Sequence, residues 1–191
     1  MSRLASNSSR PLSSSRARKN SVPDAPAASG VVHRRSAIHG RGVFARRAFP
    51  DGTRILEYSG ERITKAEAVR REAQRLERQR RGGDDSVYFF VLNRRYDLDG
   101  RKGGSVARFI NHSCKPNCRT EIIRGRVWII ARRDIAAGEE LTYDYGFPFR
   151  EWHLHPCRCG APRCAGFIVG SDQRWRLRRI PLAERRRYKA G

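Results

Sequence analysis

The sequence predicts a mostly β fold of the α+β class, in which many short strands accompany one helix. Short segments rich in β-branched and aromatic residues alternate with glycine and proline turns, which is typical of strands. A single stretch, residues 64–81, is rich in good helix formers. With 191 residues and a hydrophobic content of 38%, we expect one compact domain with part of the chain outside its core.

Residues 1–30 carry almost no apolar periodicity and predict a disordered arm rich in Ser and Arg. The first 23 residues contain no acidic residue, which loosely resembles an organelle transit peptide. Low-complexity tails of this kind are common in soluble proteins, and we prefer that interpretation. From Val31 onward, "VVHRRSAIHGRGVFARRAF" and "TRILEYSGERI" flank a "PDG" turn and predict strands.

The predicted helix begins with a capping box, since Thr64 precedes Glu67 by three residues, and it ends at Gly82 and Gly83. A thin apolar stripe predicts that the helix is mostly exposed. That stripe consists of Ala66, Val69, Ala73 and Leu76. Beyond the helix, "SVYFFVLN" and "RYDLDG" predict a pair of strands, and "RVWIIARRDI" predicts another.

The chain is strongly basic, because 41 Lys and Arg residues stand against 19 Asp and Glu, a formal net charge of +22. Such a charge attracts polyanions, nucleic acid first, although a solvated basic surface is the alternative interpretation. No motif that reads a nucleic-acid sequence is visible. The sequence shows no apolar run long enough to span a membrane and no secretory signal, so we expect an intracellular protein.

The cysteines predict a metal site. Cys157, Cys159 and Cys164 follow a C-x-C-x₄-C spacing that suits zinc, and structural zinc takes four ligands. The spacing leaves the fourth ligand open between Cys114, Cys118, His153 and His155. Three reduced cysteines without a metal are the alternative, whereas five clustered cysteines do not indicate a secreted disulfide scaffold.

Two polar segments are candidates for chemistry: "RFINHSCKPNC" and "GEELTYDYGFPF". In the second, Tyr143 and Tyr145 share one strand face and Asp144 points to the other, although packing alone explains many such tyrosines. A nucleophile–base pair of His112 and Cys114 is disfavoured, because side chains two residues apart on a turn are expected to diverge. A nucleophile elbow, a Walker loop, a glycosidase carboxylate pair and an H-E-x-x-H zinc motif are all absent from the sequence.

Taken in order, "HGRGVFA", "EYSGE", "ARFINHSCKPNC", "ELTYDYG" and "CRCGAPRC" resemble the SET-domain protein-lysine methyltransferases with their post-SET zinc segment. The resemblance spans about residues 31–169. It implies several small β-sheets around a pseudoknot-like core, with residues 64–81 as the insert helix. The implied organisation is a tail (1–30), a SET domain (31–150), a post-SET zinc segment (151–170) and a basic tail (171–191).

The resemblance also implies the roles of individual residues. Tyr145 corresponds to the family's catalytic tyrosine, assisted by Tyr143 and Tyr58. Cys114 would complete the zinc site of Cys157, Cys159 and Cys164, which leaves Cys118 as a spare thiol. The positions that match contacts to S-adenosylmethionine are His39, Gly40, Arg41, Tyr88, Asn111, His112 and Phe167. The candidates for the channel or rim that receives the substrate lysine are Tyr58, Tyr88, Phe90 and Tyr143.

The implied function is transfer of a methyl group from S-adenosylmethionine to a lysine of a basic, histone-like or DNA-associated protein. The enzyme is expected to be a monomer and to hold a structural zinc. Tyr143 stands where the family varies between Phe and Tyr, which predicts mono-methylation and some di-methylation. The arginine-rich tails suggest non-specific nucleic-acid contact. The expected location is the cytoplasm or nucleoid of a bacterium, or chromatin for a eukaryotic protein or an exported effector. The alternative is a non-catalytic, zinc-stabilised module that binds chromatin or nucleic acid, and a plain zinc-knuckle RNA binder is disfavoured.

Overall fold

The computed structural model describes residues 30–83 and 88–189. The predicted N-terminal arm therefore lies outside the described residues, apart from Gly30. Within these ranges the chain forms ten short strands and two α-helices, which is the mostly β fold that the sequence predicts, although the sequence predicts only the first of the helices. Three of the connections are 3₁₀ turns, at Val106–Phe109, Phe149–Leu154 and Arg174–Arg179. In the described ranges, no helix has the length and apolar character needed to cross a bilayer.

The strands form three small sheets. The first has the order β1-β2-β10-β7, the second β3-β9-β8 and the third β4-β6-β5. In chain order the strands are β1 (Val31–Arg35), β2 (Arg41–Ala45), β3 (Arg54–Tyr58), β4 (Glu61–Thr64), β5 (Phe89–Val91), β6 (Tyr96–Asp99), β7 (Asn111–His112), β8 (Cys118–Ile123), β9 (Arg126–Ala131) and β10 (Glu140–Tyr143).

One strand connects the two ends of the domain. Strand β10 pairs antiparallel with β2 from the N-terminal half, and on its other edge it pairs parallel with the two-residue strand β7. These pairings bring residues about a hundred positions apart into one sheet. A core of fully buried side chains packs between the sheets, with Val43, Ile55, Ile129 and Leu141 each 0% exposed.

The insert helix α1 (Lys65–Arg80) begins as predicted, because the Thr64 hydroxyl accepts a hydrogen bond from the Glu67 N–H at 3.2 Å. It ends before Gly82, which has the left-handed φ of 80°. Its exposure is as expected, but its apolar stripe does not face the body: all four stripe residues are exposed, Val69 at 71%. The helix packs instead through Ala68 and through Arg71 and Arg75.

Ion pairs explain this orientation. The Arg71 guanidinium bonds to Asp99 at 2.6 Å and to Glu61 at 2.7 Å, and both acids lie in the β4-β6-β5 sheet. Arg75 is 4% exposed and bonds to Glu72 along the helix. A charged face therefore sets the rotation of α1 about its axis, because a desolvated arginine must keep its carboxylate partners.

The C-terminal segment departs from the tail that the sequence predicts. Residues 171–189 carry the last 3₁₀ turn and a short helix, α2 (Leu182–Arg187). Leu177 is 2% exposed and joins a second core with Trp152, Phe167 and Val169. A few apolar residues spaced among many arginines are enough to anchor this segment.

Candidate active site and zinc centre

The site forms where β7 and β10 meet. Their parallel pairing sets Thr142 opposite Asn111 and Tyr143 opposite His112. The two polar segments that the sequence analysis singled out are therefore neighbours in one sheet. Both Asn111 and His112 are buried, at 7% and 3% exposure.

Asn111 fastens the turn between β1 and β2. Its Nδ2 lies 3.2 Å from the His39 carbonyl and 3.0 Å from the Arg41 carbonyl. The same nitrogen donates to Glu140 Oε1 at 2.9 Å, and the Glu140 carboxylate also accepts the Ser36 hydroxyl at 2.8 Å. The predicted cofactor loop is therefore held by partly buried hydrogen bonds from two other segments of the chain.

Glu140 is a site residue that sequence reasoning missed. Its carboxylate comes so close to Gly42 that a Cβ at this position would collide with Oε1. The second glycine of "HGRG" thus makes room for a carboxylate. The available signal was a charged residue at the first position of a strand whose other three residues are buried.

A cleft of about 680 Å³ opens beside this turn. This volume lies within the range of small-molecule sites, so S-adenosylmethionine fits by size. Six of the seven predicted cofactor residues line the cleft, and Tyr145 lines it with them. These six are His39, Gly40, Arg41, Tyr88, Asn111 and His112.

Phe167 is the exception and does not reach the cleft. It is 1% exposed and packs edge-on against Trp152 in the second core, with the ring centroids 4.8 Å apart. The apolar wall of the cleft comes from other residues, which the sequence analysis did not identify. They are Ile38, Phe147, Leu154, Pro156 and Ile168.

The tyrosines cluster behind the cleft. The rings of Tyr143 and Tyr145 lie 5.0 Å apart, although β10 ends at Tyr143 and Tyr145 follows the strand instead of sharing a strand face with Tyr143. The Tyr145 hydroxyl donates to the Ile110 carbonyl at 3.0 Å, and the Tyr145 N–H donates to His112 Nδ1 at 3.2 Å. Burial raises the pKa of both tyrosines, so both hydroxyls stay protonated and able to donate hydrogen bonds.

Tyr58 and Phe90 extend this aromatic group. Tyr58 is 3% exposed, its ring lies 5.4 Å from Phe90, and its hydroxyl donates to the Tyr88 carbonyl at 2.7 Å. Burial raises the pKa of Tyr58, with the Tyr145 phenol acting in the same direction. All the residues predicted for the channel are thus brought together, while Tyr88 also borders the cleft.

The four predicted zinc ligands also converge. The Sγ atoms of Cys114, Cys157, Cys159 and Cys164 all lie within 4.8 Å of one another. Cys114 Sγ is 3.8 Å from Cys157 Sγ and 3.9 Å from Cys164 Sγ. Tetrahedral zinc with Zn–S bonds of about 2.3 Å requires sulfurs about 3.8 Å apart, so the residues fit this metal.

Backbone amides support these sulfurs. The N–H groups of Ala165 and Gly166 donate to Cys114 Sγ at 3.5 Å and to Cys164 Sγ at 3.3 Å. Hydrogen bonding with the Cys157 thiol lowers the pKa of Cys114, which favours the thiolate that a metal binds. Of the four candidates for the last ligand, Cys114 is therefore the residue that joins the cluster. Cys118 is buried in the main core, where burial raises its pKa to about 12.

His112 and Cys114 do not diverge as expected. His112 Nε2 lies 3.6 Å from Cys114 Sγ, because Ser113 forms a tight turn in which its hydroxyl accepts the Lys115 N–H. Since His112 Nδ1 accepts from the Tyr145 N–H, Nε2 is the nitrogen that carries the proton toward sulfur. His112 therefore links the zinc centre to the backbone of Tyr145.

Arg174 is a second residue that sequence reasoning missed. Its guanidinium donates to the Cys114 carbonyl at 2.8 Å, to the Val169 carbonyl at 2.9 Å and to Asp144 Oδ2 at 2.7 Å. Asp144 stands between the two tyrosines in sequence. This arginine thus ties the C-terminal segment to the zinc turn and to the end of β10.

Comparison with known proteins agrees with this geometry. The family model described as "SET domain" matches residues 40–146, which is more than half of the chain. A protein of Saccharomyces cerevisiae named histone-lysine N-methyltransferase, H3 lysine-4 specific, is 44% identical over 144 residues, which cover 72% of this chain and 13% of the relative.

A protein of the same name from Schizosaccharomyces pombe is 44% identical over 137 residues, which cover 70% of this chain and 14% of the relative. The matched region is thus a small part of each relative's length. The family match and these relatives confirm the resemblance and the fold predicted from the sequence. The chain belongs to the SET domain family.

Proposed function

We propose that this chain transfers methyl groups from S-adenosylmethionine to a lysine of a histone or histone-like protein. The observation that carries the proposal is the placement of Tyr145, which lines the cofactor-sized cleft and also contacts Tyr143. A residue at this junction is positioned to face both a methyl donor in the cleft and an amine arriving through the aromatic group.

S-adenosylmethionine, when bound, supplies a sulfonium methyl group that an uncharged amine attacks in line. The amine belongs to the substrate lysine, and the residues of the chain have to favour its uncharged form. A lysine has a reference pKa of about 10.4, so freeing its amine at pH 7 costs about 4.6 kcal/mol in water. Buried aromatic walls disfavour the ammonium form, which lowers this cost. Tyr58, Phe90 and Tyr143 supply such walls, and Tyr58 and Tyr143 are each less than 10% exposed.

Tyr145 has the proposed role of aligning the amine with the methyl donor. Its hydroxyl is neutral because burial raises its pKa, so it offers a fixed dipole rather than a charge. The proton that the amine loses goes to solvent and not to this phenol. Catalysis then comes mainly from alignment and from a preorganised polar environment.

The degree of methylation is proposed to be mono-methylation with some di-methylation. The Tyr143 side chain is 8% exposed, and burial raises its pKa, with Tyr145 and Tyr58 acting in the same direction. A hydroxyl in this crowded place can hydrogen-bond the amine or hold a water molecule. Either arrangement leaves less room for further methyl groups on the nitrogen.

The substrate class follows from the relatives, whose names specify lysine 4 of histone H3. We extend that substrate class to this chain, which implies a chromatin location in a eukaryotic nucleus. Nucleic-acid contact through the basic segments would bring a chain of net charge +22 to a basic substrate that is bound to DNA.

The second candidate function is a non-catalytic, zinc-stabilised module on the same scaffold. A module of that kind needs the cysteine cluster but has no use for a buried tyrosine group beside a cofactor-sized cleft. Because this chain combines Tyr145, Asn111 and the held His39–Arg41 loop, the enzyme is the better supported function.

The test is transfer of radiolabelled methyl groups from S-adenosylmethionine to recombinant histone H3 and to a lysate of basic proteins. We expect a labelled H3 band that depends on the enzyme. A titration of donor binding separates the two candidates, since donor binding without any labelled protein would favour the non-catalytic module.

A further inference from the structure

The C-terminal segment presents an arginine surface that the site does not use. Residues 174–189 contain seven arginines, one lysine and one glutamate. We use "arginine surface" for the five of these arginines whose side chains are exposed. They are Arg176, Arg178, Arg179, Arg186 and Arg187.

This surface is built on a folded base. Leu177 and Ile180 pack into the second core, and the Tyr188 ring lies 5.3 Å from the Trp152 ring. Arg174 anchors the start of the segment through its three hydrogen bonds, and Arg185 bonds back to the Leu177 carbonyl at 3.5 Å. The exposed guanidinium groups therefore project from fixed positions rather than from a free tail.

The arginines of helix α1 provide an internal comparison. Arg70, Arg80 and Arg81 are also exposed, but each has a glutamate partner on the same helix, Glu67 or Glu77. Among the residues that the structure describes, no carboxylate lies within ion-pair distance of the arginine surface. The charges of these three arginines are thus satisfied by glutamates of α1, whereas those of the arginine surface are available to an external anion.

Aromatic rings stand among these arginines. Trp175 is 52% exposed, and the Arg179 guanidinium lies 4.7 Å from its ring centroid. Arg176 lies 4.3 Å over the Phe149 ring. Guanidinium groups that are spread over a surface and interleaved with an exposed aromatic ring suit a partner with many phosphates and stacking bases. An acidic protein surface offers carboxylates but no bases.

We propose that the arginine surface binds the phosphate backbone of nucleic acid without reading its sequence. The interaction is independent of the methyl-transfer site, because none of the five arginines lines the cleft. Binding to DNA brings the strongly basic chain close to a basic substrate that is bound to the same DNA. Without DNA, the charges of the two proteins would repel each other.

The test compares two variants with the same net charge. Arg178, Arg179 and Arg186 are replaced by Gln in one variant, and Arg70, Arg80 and Arg81 in the other. Binding to a fluorescent single-stranded DNA and to the matching duplex is measured by anisotropy over a series of salt concentrations. We expect the first variant to lose at least about tenfold in affinity and to lower the slope of log K against log salt by about two to three, while the second keeps both near wild type.

Three results would overturn the proposal. The first is an equal loss of DNA affinity in both variants, which would show an effect of net charge alone, and the second is no loss of affinity in either variant. The third is binding to poly-glutamate or to anionic vesicles that is as tight and as dependent on these arginines as binding to DNA. Thermal unfolding of both variants checks that the fold is retained, and the single substitutions R178Q and R186Q replace the triple variant if it is not. Methyl transfer to a free H3 peptide is measured in parallel, and it stays unchanged if only nucleic-acid binding is lost. Failure of transfer in the wild type would instead count against the proposed function.

Discussion

Tyr143 decides how much space surrounds the lysine nitrogen in the proposed channel. Its buried ring lies against Tyr145, where a phenol hydroxyl occupies space that a phenylalanine would leave empty. We expect Tyr143→Phe to shift the products on histone H3 from mainly mono-methyl toward di- and tri-methyl lysine, with little change in donor affinity.

Mass spectrometry of the modified H3 peptide measures this shift directly. Tyr96→Phe is the matched control, because Tyr96 borders the same core but lies in β6, which pairs with β4 in a different sheet from Tyr143. A wild-type enzyme that already yields mostly tri-methyl lysine, together with an unchanged pattern in Tyr143→Phe, would contradict the assignment.

At the scale of single residues the sequence predicted most of the candidate site, because the motif residues lie close together in sequence and also lie close together in the structure. Tyr143, Tyr145, Asn111 and His112 all come from two short segments. Phe167 could not be placed in the same way. Its burial depends on Trp152 and Leu177, which the sequence gives no reason to bring together.

The cysteine cluster acts as one element that joins the post-SET segment to the turn after β7. We expect the purified chain to hold about one zinc ion, because four sulfurs that lie within 4.8 Å of one another can surround this metal. Cys159→Ser is expected to lose the zinc and to unfold at a lower temperature. Metal analysis and thermal unfolding are the measurements.

Cys118→Ala is the control for this prediction, since Cys118 is buried in the main core and outside the cluster. It should keep the zinc. Full zinc content in Cys159→Ser, or loss of zinc in Cys118→Ala, would contradict the assigned ligand set.

Arg174 joins three elements by its hydrogen bonds to Cys114, Val169 and Asp144. Its guanidinium is 18% exposed and Asp144 is 20% exposed, so removing the arginine leaves a poorly solvated carboxylate. We expect Arg174→Met to lower the free energy of unfolding by about 2 kcal/mol, less than the cost of breaking a fully buried pair, because Asp144 keeps the N–H donors of Gly146 and Ser171.

Urea unfolding measures that loss. Arg176→Met is the matched control, because Arg176 is exposed and has a contact with the Phe149 ring but no ion pair in the part of the chain described. It should cost less than about 1 kcal/mol. Equal costs for the two variants would mean that Arg174 does not clamp the segment.

Helix α1 shows why elements were easier to predict than their packing. Its start and end follow from local signals, the Thr64 cap and Gly82. The face that packs is set by Asp99 and Glu61, which belong to strands outside the helix. A thin stripe of alanines with one valine and one leucine buries too little area to outweigh these ion pairs.

The whole molecule assembles its site from segments that are distant in sequence. The loop at His39–Arg41, strand β7, the end of β10 and the cysteine cluster meet around one cleft. The sequence predicts this assembly through the family resemblance, whereas pattern and spacing alone indicate a β-rich fold and an incomplete metal site. The remaining contacts depend on tertiary packing, which local patterns do not encode.

The net charge of +22 also acts on the scale of the whole molecule. Both the chain and a histone substrate are positively charged, so their overall charges repel each other. The zinc-supported cleft and the arginine surface are therefore expected to have separate tasks, chemistry in one case and recruitment to nucleic acid in the other.

The most direct test of the account is the rate of methyl transfer to a histone H3 peptide by the wild type and by Tyr145→Phe, with the affinity for S-adenosylmethionine measured for both. We predict steady transfer by the wild type, and a rate lower by about 100-fold or more in the variant with nearly unchanged donor affinity, because only the aligning hydroxyl is lost. Equal rates for the two enzymes, or a wild type that binds the donor and methylates no lysine, would contradict it.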